Sequence, residues 1–389
     1  MARRNGGFIG TDGLDAPDPP TGVAGTAGNA SVSVAFTAPT DVGTSAITGF
    51  VATTDAGDGA TGSSSPITIS SLTNGTAYTT RVYAINAFGT SAASDASASF
   101  TPQLDRAIFS GGTASSTRRT LDYVQIATTG NATDFGDATV DSGFGGGMSS
   151  STRGVFACGN NTNVLDYVTI ATTGNSTDFG DTSAASTYTT GLSNATRGIV
   201  RLGLTDAVTN IIEYITIAST GNSTDFGNRT AALRSDAALA STTRGVHAGG
   251  VNDSGVSNIM DYITIGSTGN STDFGDLSIA RKNMSGTSSN TRGLIIGGTG
   301  SGQTERIDYI TIASTGNGAD FGNLSPSGVD HGSTSSSTRA VSAGGERSSA
   351  TNAMDYLTIA TLGNSTDFGN LTAARSGIAG LSSVHGGLA

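Results

Sequence analysis

The sequence of 389 residues contains no tryptophan, one cysteine and one lysine, and only 13% of its residues are charged. The lone Cys158 excludes an intrachain disulfide framework and a cysteine-ligated zinc site, so we interpret it as a small buried apolar residue. No stretch approaches the ~18 apolar residues of a membrane-spanning helix, and we expect no membrane insertion. The first residues, MARRNGGFIGTDG, lack an apolar core, so we expect no signal peptide.

Charge and helix-forming residues are also scarce. The net charge is −11 and no basic run occurs, so we expect no nucleic-acid partner. Only three glutamates accompany the single lysine, whereas Thr, Val and Ile fill the patterned segments. Because β-branched residues favour pleated, half-buried surfaces, the composition predicts an all-β fold.

An octapeptide close to GNSTDFGN occurs six times. Each copy follows a strand-like phrase with Asp-Tyr or Glu-Tyr at its centre, and each of those phrases follows another that begins with arginine, such as RGVHAGG. The tyrosines of the six units lie 44 to 48 residues apart: Tyr123, Tyr167, Tyr214, Tyr262, Tyr309 and Tyr356. The sequence therefore contains six repeats of about 47 residues.

Each repeat has the pattern of four short strands, which is typical of a β-propeller blade. The first repeat lacks its first strand, and an extra strand-like stretch at 375–383 follows the last repeat. We therefore predict a six-bladed propeller over residues 103–389, closed by the C-terminal strand. The remaining VHGGLA at 384–389 resembles a further strand and leaves a seven-bladed alternative open.

Residues 17–102 have a different pattern, with alternating apolar and polar residues between Gly, Pro and Asn turns, which predicts a β-sandwich. This stretch resembles a fibronectin type III domain. The resemblance depends on Pro20, the strand Ser31–Phe36 and the segment LTNGTAY followed by RVYAINAFGTS. It implies that Tyr78 is the tyrosine-corner residue and that Phe36 replaces the family's usual tryptophan. Residues 1–16 are predicted to form an extended arm used for attachment.

The repeats resemble those of known propellers. The Gly-Gly strand, the Tyr and the later aromatic residue are similar to a kelch repeat, with Phe in place of its Trp. Ser-x-Asp-x-Gly within STDFG is similar to the opening of the Asp-box of sialidase-type propellers. The whole chain, with its arm, fibronectin-like module and Thr/Asn/Gly-rich units, resembles tail-fibre and other virion surface proteins of bacteriophages.

The octapeptide is interpreted as scaffold, because Gly-Asn suits a tight hairpin and Phe supplies apolar surface. Its Asp and the strand-opening Arg occur once in each repeat, and they are predicted to lie at one end of the blades. We expect a ring of structural ion pairs between Asp134, Asp178, Asp225, Asp273, Asp320 and Asp367 and Arg106, Arg153, Arg197, Arg244, Arg292 and Arg339.

Residues that would support catalysis are not grouped in the sequence. A sialidase-like site needs a Tyr–Glu pair, yet only Glu213, Glu305 and Glu346 occur. The histidines His247, His331 and His385 occupy unrelated positions in the repeats, and His331 alone lies in a variable loop as a weak ligand candidate. GGTGSG at 297–302 opens no helix and is no phosphate loop. We expect no enzyme activity, no catalytic or metal site and no cofactor.

The connections at the opposite end of the repeats vary in length and sequence, and variable loops on a rigid scaffold commonly carry recognition. The links 138–150, 182–194 and 324–336 vary too. The alternative is that these variable loops are ordinary surface without a binding function. The candidate binding residues in these loops are Arg118, Asn161, Asp206, Asn252, Gln303 and Arg347.

These observations favour a non-enzymatic structural protein on the surface of a bacteriophage virion, such as a tail fibre, whose propeller binds the host surface or a glycan. The arm and fibronectin-like domain are expected to bind other virion proteins in a homo- or hetero-oligomeric assembly. The protein would be assembled in the host cytoplasm and displayed on the extracellular particle. One alternative is a capsid-decorating or tail-tube protein, and another is a secreted bacterial propeller that binds or cleaves glycans.

Overall fold

The computed structural model describes residues 14–114, 118–157 and 159–388. Cys158 and almost all of the predicted arm 1–16 lie outside the described residues. The chain divides into two compact units, Met1–Leu104 and Asp105–Ala389. The described residues form β-strands and one short 3-10 helix, Gly386–Leu388, so the prediction of an all-β fold is confirmed.

The first unit is a β-sandwich of two antiparallel sheets. The three-stranded sheet has the order β1-β2-β5 and the four-stranded sheet has the order β4-β3-β6-β7. The strands are β1 (Thr21–Gly28), β2 (Ser31–Thr37), β3 (Ile47–Thr54), β4 (Gly59–Gly62), β5 (Ile67–Ser70), β6 (Thr80–Asn86) and β7 (Gly89–Thr90).

The core of the sandwich lies between the two sheets because alternate residues of each strand point inward. Val32 and Ile69 of one sheet and Val82 of the other are fully buried. The Tyr78 hydroxyl accepts a hydrogen bond from the Thr73 amide at 3.1 Å, as the predicted tyrosine corner requires.

The segment after β7 pairs with β6 in an unusual way. Ser91, Ser94 and Ser97 recur every third residue, and each buried hydroxyl accepts a β6 backbone N–H, at 2.9 to 3.0 Å. Each of these serines also donates its own backbone N–H to β6. At this sheet edge the serine hydroxyls thus accept backbone hydrogen bonds that the carbonyls of a neighbouring strand accept in a regular β-ladder.

The second unit contains six four-stranded antiparallel sheets, which we number I to VI. In each sheet the strands are numbered from first to fourth in spatial order. Sheet I consists of β31 (Ala379–Ser382), β8 (Arg106–Ser110), β9 (Arg118–Gln125) and β10 (Thr133–Ser142). Sheet II consists of β11 (Gly146–Ser149), β12 (Arg153–Ala157), β13 (Thr162–Thr169) and β14 (Thr177–Ser186). Sheet III consists of β15 (Thr190–Ser193), β16 (Arg197–Arg201), β17 (Ile211–Thr216) and β18 (Thr224–Asn228).

The other three sheets have the same plan. Sheet IV consists of β19 (Ala237–Ala240), β20 (Arg244–Asn252), β21 (Gly255–Thr264) and β22 (Thr272–Asp276). Sheet V consists of β23 (Ser285–Ser288), β24 (Arg292–Ile296), β25 (Arg306–Thr311) and β26 (Ala319–Asn323). Sheet VI consists of β27 (Gly332–Ser335), β28 (Arg339–Ala343), β29 (Ala353–Thr358) and β30 (Thr366–Asn370).

Sheet I combines the two ends of the unit. Its first strand, β31, comes from the C-terminal segment and pairs antiparallel with β8, so that Leu381 lies opposite Ile108. The second strand of every sheet begins with an arginine, and we call this end of the sheets the Arg end. The opposite end, where the second strand connects to the third, is the loop end.

Apolar side chains from neighbouring sheets form shared cores. Val155 and Phe179 of sheet II, for example, pack with Val200 of sheet III. Sheet VI packs in the same way with sheet I, through Val341 and Phe109. The burial of these shared apolar surfaces is the main favourable term in the stability of the second unit.

The first strands approach one another closely because they carry glycine, alanine and serine. A Cβ built on Gly147 would lie 2.3 Å from the Gly380 carbonyl oxygen, and one on Gly286 would lie 2.4 Å from that of Ala238. Larger residues cannot occupy these positions without displacing the backbone.

Candidate binding site at the loop end of the sheets

The six strand-opening arginines are stacked on the tyrosines of their own sheets. Each guanidinium carbon lies 4.2 to 4.8 Å from a ring centroid, within the range of a cation–π contact. Nη1 of Arg153 also donates to the Ile217 carbonyl of sheet III at 3.0 Å. The equivalent bond from Arg339 of sheet VI goes to the Ile126 carbonyl of sheet I. These arginines therefore connect neighbouring sheets.

The predicted ring of Arg–Asp ion pairs is wrong. Both groups lie at the Arg end, as predicted, but none of the ion pairs among the described residues joins them. The arginines Arg106, Arg153, Arg197, Arg244, Arg292 and Arg339 contact tyrosine rings and backbone carbonyls instead. The aspartates Asp134, Asp178, Asp225, Asp273, Asp320 and Asp367 are exposed.

The physical reason is register. In sheet I, Tyr123 lies two residues before the ladder partner of Arg106, on the same face, so the arginine stem extends over the ring. Asp134 belongs to the outermost strand and its side chain is solvated. Only Asp320 approaches a cation among the described ion pairs, and that cation is Arg306 at 3.9 Å.

The repeated octapeptide joins each sheet to the one before it. The Asn222 side-chain oxygen accepts the Asp181 amide at 3.0 Å, and the Gly221 amide donates to the Phe179 carbonyl at 2.8 Å. The Asn131 oxygen accepts the amide of Asn370 in sheet VI at 3.1 Å. Gly and Asn are thus used for inter-sheet contact. The predicted tight Gly-Asn turn is wrong, because the turn between the third and fourth strands lies before the octapeptide, at 126–128 in sheet I and 217–219 in sheet III.

The carboxylates of the Asp-Tyr phrase were not among the predicted site residues, and unlike the octapeptide aspartates they are buried. Most accept a hydroxyl hydrogen bond from the preceding sheet, as Asp166 does from Thr139 Oγ1 at 2.6 Å. Their position directly before the tyrosine of every repeat is the sequence feature from which they could have been recognised. The six residues are Asp122, Asp166, Glu213, Asp261, Asp308 and Asp355.

Buried arginines pair with several of these carboxylates. Arg281 Nη2 lies 2.9 Å from Asp308 Oδ2, and both side chains are fully buried. The densest cluster lies in sheets III and IV, where Arg229 contacts both Asp236 and Asp261. Asp236 also contacts Arg201 and accepts a hydrogen bond from His247 Nδ1. Burial lowers the pKa of His247 to about 3, so its imidazole is neutral and the cluster is structural.

The candidate loop residues lie in six different sheets, and two of them touch. The Gln303 side chain donates from Nε2 to the Arg347 carbonyl at 2.8 Å. Arg347 is not a free binding residue, because its Nη2 donates to Asp355 at 3.0 Å. The other candidates are Arg118 at the start of β9, Asn161 in a turn, the exposed Asp206, and Asn252 at the β20–β21 hairpin.

A different part of the loop end is more regular. Just before each first strand, one residue has a positive φ of 57° to 67°. Their backbones are joined in sequence: Phe144 N donates to Gly377 O, Gly377 N to Asp330 O, and Asp330 N to Asn283 O. The six residues are Phe144, Tyr188, Ser235, Asn283, Asp330 and Gly377.

Side chains of this set line a pocket, which we call the loop-end pocket. One wall is aromatic, because the Phe144 and Tyr188 rings lie 4.9 Å apart at 51°. Another part of the lining is polar, where Asn283 Nδ2 donates to Asp330 Oδ2 at 3.0 Å. His331 lies deeper and is 6% exposed.

Burial shifts the pKa values of two titratable groups in the pocket. Burial raises the pKa of Asp330 to about 6, and the nearby Glu346 adds to the shift, while Asn283 and Lys282 oppose it. Burial lowers the pKa of His331 to about 4, with Arg347 adding to the shift. At neutral pH the pocket therefore holds a carboxylate and a neutral imidazole that can donate and accept hydrogen bonds.

A second cavity, lined by the first strands of all six sheets, is covered by the C-terminal segment. His385 Nε2 donates to the Ser149 carbonyl at 3.2 Å, and its Nδ1 accepts the Gly387 amide at 3.1 Å. The segment after β31 forms the short helix Gly386–Leu388. The seven-bladed alternative is therefore wrong for the described part of VHGGLA, which forms no further strand.

The described part of the chain lacks two kinds of feature. No group of three or more His, Cys, Asp or Glu side chains is placed to hold a metal ion there. Among those same residues, no helix is long and apolar enough to cross a membrane.

Comparison with known proteins identifies one part of the chain. No curated protein matches the sequence significantly. The fibronectin type III family model matches residues 18–100, and the predicted resemblance of the first unit is therefore confirmed. Together with the β-sandwich of two sheets and the tyrosine corner, this match identifies residues 18–100 as a fibronectin type III domain.

Proposed function

We propose that residues 105–388 form a closed six-bladed β-propeller, with sheets I to VI as blades around a central axis. The support is that the same inter-sheet hydrogen bonds recur from sheet to sheet and also join sheet VI to sheet I. Arg339 of sheet VI donates to Ile126 of sheet I. The backbone of Asn370 in sheet VI donates to the Asn131 side chain of sheet I. Four strands per repeat of about 47 residues agree with this architecture.

The protein is then a non-enzymatic recognition protein on a bacteriophage virion, a tail fibre or similar appendage, whose loop end faces the host surface. One observation carries the recognition role: the Arg end repeats one set of contacts, whereas the loop end differs between units. At the six equivalent positive-φ positions the side chains range from none, at Gly377, to the aromatic rings of Phe144 and Tyr188. Variation on a rigid frame is what a recognition surface needs.

Attachment to the particle is assigned to the other unit. The fibronectin type III domain and residues 1–16 bind other virion proteins in this proposal, and the assembly is oligomeric. Bacterial surfaces are rich in polysaccharides, whose hydroxyl groups match the Asn, Ser and Thr residues of the loops. A host-surface glycan is therefore the proposed partner of the propeller.

Two measurements on the full-length protein test this function. Antibodies raised against it should label phage particles purified from lysates of the source organism. The protein should also bind polysaccharides extracted from host envelopes, immobilised on a surface, without shortening them. Particles without label would contradict the virion location. Release of reducing ends would show glycan cleavage and overturn the non-enzymatic assignment.

A further inference from the structure

We propose that the loop-end pocket is a saccharide site and that it takes a neutral pyranose, with one exocyclic group directed towards His331. This inference rests on the proposed recognition function and names the ligand class and the position of the site. It depends on four features of the pocket: its unusual aromatic residues, its unpartnered polar atoms, its charge balance and its size.

The aromatic wall occupies backbone positions that favour other residues. Phe144 and Tyr188 have φ of 57° and 58°, a conformation that glycine and asparagine adopt at lower cost than bulky residues. The equivalent positions Asn283 and Gly377 are occupied by those residue types. The backbone conformation therefore does not require aromatic residues at these two positions. We infer that the two rings have a role other than maintaining that conformation.

Unpartnered polar atoms lie deeper in the same pocket. Both ring nitrogens of His331 and the hydroxyl of Thr190 are buried without a hydrogen-bond partner. Buried polar atoms are normally hydrogen-bonded to protein, water or ligand. A ligand hydroxyl or amide entering the pocket would both donate to and accept from these atoms.

The charges near the pocket favour a neutral ligand. Asp330 and Glu346 carry negative charge, while Lys282 and the Arg234 guanidinium, 5.3 Å from the Tyr188 centroid, carry positive charge. The charge of Arg347, which acts on His331, is paired with that of Asp355. Asp236 also lines the pocket, but Arg201 and Arg229 neutralise it. With no net sign to select an ion, shape and hydrogen bonding decide the ligand.

A pyranose matches the aromatic and the polar parts of the lining. Its C–H groups form an apolar face with slight positive charge, which suits the electron-rich ring faces and edges of the Phe144–Tyr188 wall. Its hydroxyls can donate to the Asp330 carboxylate and accept from amide groups. The pocket is open to solvent and has a cavity volume of about 70 Å³, so its inner part admits a hydroxymethyl or acetamido group. The sugar ring therefore lies at the mouth, with one substituent inside.

The test uses methyl hexopyranosides and methyl N-acetylhexosaminides as probes, titrated into the full-length protein. Imidazole NMR signals are the readout, because the chain has three histidines and only His331 lies in this pocket. His331 signals should shift with sugar concentration, while those of His247 and His385 stay fixed. Shifts at all three or none, or a response to ammonium or carboxylate probes alone, would overturn the ligand class.

Two substitutions in the pocket and two outside it test whether this pocket is the binding site. Tyr188→Asn and Asp330→Asn suit the positive φ, so both should fold and melt like the wild type. Each should weaken binding by about tenfold or more, because a ring contact or a charged acceptor is lost. The matched controls are Phe88→Ala, an exposed aromatic of the first unit, and Asp134→Asn at the Arg end. Both should bind like the wild type.

The outcomes separate the two proposals. Envelope polysaccharide that binds wild type and both pocket variants equally would overturn this site while leaving the recognition function in place. Absence of polysaccharide binding by the wild type would contradict the recognition function itself. A His331 response to the glycosides without polysaccharide binding would keep the site and redirect the search to another sugar-bearing partner.

Discussion

Arg375 donates from Nη2 to Asp122 Oδ2 across 2.9 Å, and both side chains are fully buried although 253 residues separate them. Arg375 follows the last strand of sheet VI, and Asp122 belongs to the third strand of sheet I. Burial lowers the pKa of Arg375, and Asp122 opposes that shift. The pair thus joins the beginning and the end of the second unit in a contact that is buried from solvent.

Removing one partner of this pair should be strongly destabilising. Asp122→Ala leaves the Arg375 guanidinium buried without its counter-ion, and we expect a loss of about 3–5 kcal/mol in the free energy of unfolding. The measurement is urea denaturation followed by circular dichroism. The double variant Asp122→Leu/Arg375→Met should recover much of the loss, because it removes both charges.

An exposed pair is the control. Arg119 and Asp141 lie 3.2 Å apart with about half of each side chain exposed. Arg119→Ala should cost less than about 1 kcal/mol, as exposed ion pairs do. A similar loss from both variants would show that burial does not decide the contribution of these pairs.

The proposed closure of the propeller can be tested through the octapeptide. Asn222→Ala removes an accepted hydrogen bond between two sheets that adjoin in sequence, III and II. Asn131→Ala removes the equivalent bond between sheets I and VI. Each should cost about 1 kcal/mol in denaturation experiments. A closed propeller requires equal losses, and a loss for Asn222→Ala alone would contradict closure.

Much of this architecture could be predicted from the sequence, because comparison of the six repeats shows which positions are constant and which vary. The strand phrases follow from local patterns. The exact place of the turn does not, because it lies before the octapeptide and Gly-Asn contacts the neighbouring sheet instead. Pairing of β31 with β8 follows from the phase of the repeat. The fibronectin type III domain was recognisable from its strand spacing and Tyr78.

The contacts of individual charges could not be predicted. Asp134 and Asp122 are equally regular in the repeat, yet one is exposed and the other fully buried. The difference arises from which strand is outermost and which face meets the next sheet, and both are tertiary properties. The loop-end pocket was missed for the same reason, since Phe144, Tyr188 and Asp330 meet only when three sheets are assembled.

Because the first strands approach one another closely, we expect Gly→Ala substitutions to destabilise the protein much more in these strands than at exposed turns. A Cβ at Gly286 would lie 2.4 Å from the Ala238 carbonyl oxygen, whereas one at Gly363 meets nothing within 4 Å. Gly286→Ala should therefore lower the free energy of unfolding by about 1–3 kcal/mol or more through overpacking. Gly363→Ala should stay within about 0.5 kcal/mol of wild type. Equal effects in thermal or urea unfolding would mean that the first strands can separate without cost.

The buried histidines make the second unit sensitive to acid. Burial lowers the pKa values of His331 and His385 to about 4 and that of His247 to about 3. Their unfolded-state pKa is about 6.5, so each contributes stability above that pH. That stability is lost at up to about 1.4 kcal/mol per pH unit as the pH falls from about 6.5 towards the folded-state value.

His385 provides the sharpest case. Its Nδ1 accepts the Gly387 amide, so a proton on Nδ1 would break that bond. The raised pKa values of Asp330 and Asp355 act in the opposite direction, because these groups gain stability as they become protonated near pH 6. Comparison of wild type with His385→Gln isolates the histidine: the variant should show a shallower fall in stability below about pH 6.5. Parallel curves would mean that His385 is already solvated.

Ligand binding should depend on pH through Asp330. Its carboxyl, which faces Asn283, Lys282 and Glu346, has a pKa raised to about 6, whereas His331 stays neutral until about pH 4. Between about pH 7 and about pH 5 the carboxylate becomes a neutral acid and a weaker acceptor. Affinity for the methyl glycosides should therefore fall several-fold across this window in wild type and stay flat in Asp330→Asn. An affinity that rises on acidification would mean that the ligand accepts a proton from Asp330, and a flat wild-type profile would remove Asp330 from the site.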